Sequence, residues 1–339
     1  MGNQTALGFL VIALLAAGCH KDPPLSSDAP YELNLPAGFS MPSIPANNEL
    51  TVKRVELGKL LFFDTALSVD STVSCASCHH QQFAFSDNKA LSLGVNNAVG
   101  FRNAPSLGNI AYHTSFFRDG GVPTLEQQTL APIEDENEMA FSVPGVVERM
   151  KINPDYVALS KIAYDREPDA FVLTRALAAY QRTLITGNSR FDKYYYQNDV
   201  SALNESEKRG FQLFTSEKTN CSVCHAGIDF SDYSFRNIGL YEMYADTGRK
   251  RITQLDEDYG KFKVPSLRNV ELTAPYMYNG SVTTLESAIE HFNSGGKENQ
   301  YKDALVQPLS LTTDEKQDLL NFLKSLTDVS FIENEEFAP

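Results

Sequence analysis

The chain has 339 residues, a formal net charge of −14 and an apolar fraction of 42 %. That length admits two domains of common size, and so acidic a balance argues against nucleic acid as a partner. The chain contains no Trp, which excludes any role that a Trp side chain would carry.

In chain order, residues 1–18 stand apart. Ala6 to Ala17 is almost wholly apolar, yet short for a bilayer span. It reads as an export signal. The ending Leu15-Ala16-Ala17-Gly18-Cys19 resembles a bacterial lipoprotein cleavage box. Cys19 is therefore expected as a lipid anchor that attaches a periplasmic protein to a membrane; the alternative is a plain signal peptide. Residues 19–48 are rich in Pro, Ser and Asn without periodicity and are predicted to be a flexible tether.

The remaining four Cys form two complete motifs, Cys75-Ala76-Ser77-Cys78-His79 and Cys221-Ser222-Val223-Cys224-His225. Cys-x-x-Cys alone suits a disulfide, a zinc site or a redox pair. A His directly after the second Cys, in both copies, points to covalently bound haem c. Two thiols at this spacing can add to one haem, and the adjacent His then reaches the iron.

Other signals recur with the motifs. Gly58-Lys59-Leu60-Leu61-Phe62 precedes the first and Gly210-Phe211-Gln212-Leu213-Phe214 the second. Phe85-Ser86-Asp87 and Phe230-Ser231-Asp232 follow them, and the stretch from Asp119 to Glu126 matches that from Asn279 to Glu286. Helical spacing is clear over residues 172–184. Thr312-x-x-Glu315 is a capping box before a last amphipathic helix, and Thr283-x-x-Glu286 starts another that runs to about His291. The expected fold is mainly α, with two tandem cytochrome c-like haem domains at 49–195 and 196–339.

From Leu57 onward the sequence resembles the bacterial dihaem cytochrome c peroxidases and their relatives that oxidise a partner protein in methylamine utilisation. The resemblance rests on Leu61-Phe62-Phe63-Asp64, both haem motifs, Phe101 to Leu107, Arg118-Asp119-Gly120, Pro132 to Met139, Phe191 to Tyr194 and Val264 to Tyr276. It implies a peroxidatic haem on Cys75, Cys78 and His79, and an electron-receiving haem on Cys221, Cys224 and His225. It places Gln128 and Glu138 over the peroxide side. It also implies calcium between the domains, held by Asn103, Thr273 and Pro275.

Three positions depart from the family. Val95 stands where many members carry a distal His, so the first haem is expected to be ready without reductive activation. Phe292 stands where a Met ligates the second haem; His291 beside it is the candidate sixth ligand, with Met277, Met243 and Tyr278 as others. Arg118 replaces the Trp between the haems. The expected function is reduction of hydrogen peroxide to water, with electrons from a small cytochrome or cupredoxin. One alternative is oxidation of a partner protein or organic substrate through high-valent iron; another is a non-enzymatic electron carrier. Monomer and homodimer both fit the sequence.

Overall fold

The computed structural model describes residues 28–339, so the expected signal and Cys19 lie outside the described residues. The protein is mainly helical, and its one sheet among the described residues is a short antiparallel pair, Phe235–Arg236 with Phe262–Lys263.

Each half is organised by one crossing of two helices. In the first, Val52–Phe63 packs on Ala170–Arg182. A Cβ at Gly58 would lie 1.9 Å from the Ala176 carbonyl oxygen, so only glycine permits this approach. Phe62 then meets Tyr180 at 5.1 Å between ring centroids. In the second, Glu205–Phe214 packs on Thr313–Lys324. A Cβ at Gly210 would fall 2.0 Å from the Asp318 oxygen, and Phe214 meets Phe322 at 5.1 Å. The repeated Gly-x-x-x-Phe is therefore a helix-crossing signal: the glycine lets the backbones close and the phenylalanine fills the wedge beside it.

The caps follow the sequence with one shift. Thr312 and Glu315 form the expected reciprocal box. The helix expected from Thr283 is Leu285–Asn293, capped by Thr284, which accepts from the Ser287 N–H.

Buried apolar side chains gather into two large clusters. One runs from Leu50 to Leu184 and the other from Phe191 to Leu326. The C-terminal tail breaks this order. Phe331 and Phe337 belong to the first cluster, beside Phe85, and the Tyr180 hydroxyl donates to the Phe337 carbonyl at 2.9 Å. The far end of the chain therefore packs against the first cluster.

Residues 28–48, expected within a tether, lie on the folded body instead. Tyr31 N–H donates to Leu50 O and Val52 N–H to Ala29 O. Asn48 is fully buried and donates to Glu126 and to the Arg175 carbonyl. Phe39 meets Tyr112 and Tyr196 edge-on and lies under the Arg268 guanidinium. A strap held by single anchors has no period, which is why the sequence reads as unstructured there.

Candidate haem and peroxide site

Both Cys-x-x-Cys-His motifs sit on short helical turns, Cys75–Ser77 followed by Cys78 and His79, and Cys221–Cys224 followed by His225. His79 Nδ1 lies 2.8 Å from the Phe85 carbonyl, and His225 Nδ1 lies 2.9 Å from the Phe230 carbonyl. A carbonyl only accepts, so Nδ1 carries the proton in both rings and Nε2 keeps its lone pair. Burial lowers the pKa of both imidazoles and favours this neutral form. Phe85 and Phe230 both adopt left-handed φ, at 58° and 49°. Such strain, about 1–3 kcal/mol per residue, is commonly held at functional sites. The repeated Phe-Ser-Asp is thus the strand of backbone that aims each His.

The four Cys of these motifs are free thiols. Burial pushes Cys75 up to about 12 and Cys78 up to about 11. Both motifs open on one continuous cavity of about 1190 Å³, lined by Cys78, His79, Cys221, Cys224 and His225. That exceeds the roughly 300–1,000 Å³ of a usual small-molecule site. Free thiol pairs, oriented imidazoles and this volume fit haem at both motifs.

The two ends of the cavity differ in chemistry. Near the first motif the wall includes Gln128, Asp135, Asn137 and Glu138. Glu138 is set by its backbone: its N–H donates to Asp135 O, and its carbonyl accepts from Val95 N–H at 2.8 Å. Gly94, next to Val95, lies so close that a Cβ would meet Asn137 O at 2.2 Å. The Glu138 side chain is accessible from the cavity while protein surrounds the rest of it. Burial, with the Asp135 charge as a smaller cause, pushes its carboxyl up to about 7.

Near the second motif the helix wall is apolar, with Leu285, Ala288, Ile289, Phe292, Leu319 and Leu323, while Arg236 and Asp303, paired at 2.8 Å, line the cavity on the Cys224 side. By the internal repeat, Thr284-Leu285-Glu286-Ser287-Ala288 answers Thr124-Leu125-Glu126-Gln127-Gln128, so Ala288 stands where the first half has Gln128. His291, expected as a sixth ligand, must be corrected. It is absent from this wall, and its Nε2 lies 3.0 Å from the Ile238 carbonyl. The helix turns Phe292 to the cavity and His291 away from it. Of the other candidates, Met243 is 83 % exposed, while Met277 and Tyr278 both line the cavity, Tyr278 stacked on Phe262 at 3.9 Å. Val95 is buried and carries no ligating group, as the sequence indicated. His113 is enclosed beside Asp229, whose carboxylate lies 3.7 Å away.

Asn103, Thr273 and Pro275 all line the cavity, but they do not fit calcium. The Arg118 guanidinium takes both oxygens of Asn103: Nη2 donates to Oδ1 at 2.6 Å and Nε to the carbonyl at 3.2 Å. A divalent ion would have to displace this cation or sit beside it.

Sequence reasoning missed the ion pairs that join the halves. Arg102 donates to both Asp246 oxygens at 2.7 and 2.9 Å and to Asp119 at 2.8 Å. Arg251 donates to the same Asp119. Arg102 and Asp119 lie inside the quoted motif stretches, which was the available signal.

Two Cys-x-x-Cys-His turns with aimed imidazoles around one cavity define a two-haem protein of the c type. The family model described as di-haem cytochrome c peroxidase matches residues 52–200. A methylamine utilization protein MauG from Methylorubrum extorquens is 38 % identical over 292 residues, 83 % of this chain and 80 % of that protein. The cytochrome-c peroxidase IdrP1 of a Pseudomonas species is 33 % identical over 94 % of this chain and 90 % of its own length. Among solved structures, a MauG-like protein associated with microbial copper homeostasis superposes with a TM-score of 0.86, at 33 % identity, over 91 % of this chain and 99 % of the other. The chain belongs to the di-haem cytochrome c peroxidase family and is an oxidoreductase of that family, with two haem c groups as its cofactors.

Proposed function

We propose that the protein reduces hydrogen peroxide to water with electrons from a small cytochrome or cupredoxin. Two electrons and two protons convert one peroxide into two waters. Haem iron, when bound, supplies the redox centre and an open face for the oxidant. Cys75, Cys78 and His79 would hold the peroxidatic haem, and Cys221, Cys224 and His225 the one that receives electrons. These would form two haem units, residues 49–195 and 196–339.

The observation that carries the reading is Glu138, a carboxyl near neutrality on the same cavity wall as His79. Such a group takes a proton from one peroxide oxygen and delivers it to the departing one. Gln128, one helix turn from the Thr124 cap, orients peroxide beside it. Replacing Glu138 by Gln is expected to lower peroxide turnover by about 10²–10⁴-fold. Unchanged turnover in a variant with full haem content would sink the assignment.

Identity to MauG supports a second reading, oxidation of a partner protein. Steady peroxide consumption with a reduced small redox protein separates the two. Export and a lipid anchor at Cys19 belong to the same proposal. Cys19→Ala is expected to release the protein from membranes; among the described residues no helix is long and apolar enough to cross one.

A further inference from the structure

Two cations on the cavity wall have no part in the proton chemistry of Glu138. Arg118 donates only to the neutral oxygens of Asn103, and Lys263 Nζ donates to the Ser115 carbonyl at 2.5 Å. Among the described residues, neither has a carboxylate within 4.0 Å. Their neighbours Arg102 and Arg251 are both paired with aspartates.

The two residues come from opposite halves and are joined through the backbone, where Lys263 N–H donates to Arg118 O at 2.7 Å. Both are enclosed by protein and line the cavity that the two motifs share. Burial pushes Arg118 down to about 10 and Lys263 down to about 8; the positive charge of Arg102 adds to the first and that of Arg118 to the second, while the more distant Asp119 and Asp229 partly offset the second. Enclosed charge without a counter-ion is costly. Neither cation has a carboxylate in direct contact, so an anion that enters the cavity can pair with both. Haem brings anions of its own, the carboxylate side chains on its rim. A guanidinium fork suits a carboxylate in two-point contact, and an ammonium suits it as a point charge.

We propose that Arg118 and Lys263 pair with the carboxylate side chains of bound haem, so that the cofactor's anions tie the two halves together. Arg118 then provides a fixed positive charge at the seam where the donors do not fit a divalent ion. This inference rests on the two-haem reading but not on peroxide turnover.

The test uses the haem-loaded protein with R118Q, K263Q and R118K, after haem content per chain has been measured. Resonance Raman reads the propionate-bending bands, and redox titration reads the midpoint potentials. The expected result is a shift of those bands in R118Q and in K263Q, with a lowered midpoint potential in each, because removing a cation disfavours the reduced haem. R118K should stay nearer the parent. Unmoved bands in both neutral variants overturn the inference. A lowered potential with unmoved bands does so too, since the charge then acts through space without pairing. If R118Q does not load haem, K263Q and R118K carry the same two readouts. Absence of two haems from the parent would instead overturn the two-haem reading itself.

Discussion

The two halves share a skeleton and differ in the wall that faces their cofactor. Each has a glycine-closed helix crossing, a left-handed phenylalanine that receives the His Nδ1 proton, and a threonine-capped helix on the cavity. In the first half that last helix carries Gln128, with Glu138 nearby; in the second it carries Ala288 and Phe292. A backbone that only places haem can therefore be copied. The Gln and Glu suited to handling protons occur on one copy, and the matching helix of the other carries Ala288 and Phe292. A wall whose charges are paired, as Arg236 is with Asp303, suits electron transfer, while a carboxyl near neutrality suits proton transfer.

The comparison can be broken at several depths. One buried ion pair has no counterpart in the internal repeat. Arg268 and Asp192 form a two-point pair at 2.8 and 3.0 Å, with Arg268 3 % exposed and Asp192 fully buried. The first half has Gly108 in the place of Arg268. Asp192→Ala removes the two-point partner of buried Arg268, leaving only Asp229 at 4.0 Å, and should cost about 3–5 kcal/mol, read by denaturant unfolding. A loss below about 1 kcal/mol would show that the site relaxes around the cation.

Gly58→Ala and Gly210→Ala test whether the crossings are equivalent. Each puts a methyl group onto a backbone carbonyl and should cost about 1–3 kcal/mol. A large effect at one and none at the other would mean that only one half depends on its crossing.

The pH dependence of turnover separates the halves chemically. Glu138 must be ionised to accept a proton, and its carboxyl is raised to about 7. Peroxide kcat/KM should therefore fall about tenfold per pH unit below that value and level off above it. The Glu138→Gln variant should lose this limb. A parent profile flat from pH 5 to 8 would remove Glu138 from the rate-determining proton transfer.

The smallest effect is expected at the matched caps. Thr124→Ala and Thr284→Ala should each cost about 0.5–2 kcal/mol, measured as a shift in unfolding midpoint.

Much of the fold was legible because its signals are local. The haem motifs, the last capping box and the helix over 170–182 are set by residues close in sequence. The repeats were visible too, though their meaning was not: Gly58 and Phe85 acquire a reason only when Ala176 and His79 are placed against them. The cap at Thr284 was missed by one residue because Thr283 and Thr284 both offer a hydroxyl. His291 was misassigned because a helix face turns with tertiary packing, and one position decides between cavity and Ile238 carbonyl. Arg118 was noticed as a departure, but its lack of a carboxylate partner is a property of three dimensions alone.

The C-terminal tail has a consequence for the making of the protein. Phe331 and Phe337 complete the cluster that contains Phe85, and the Tyr180 hydroxyl rests on the Phe337 carbonyl. Synthesis begins at the other end of the chain. The cluster around Phe85, whose carbonyl accepts from His79, is thus completed by residues about 250 positions further along the chain.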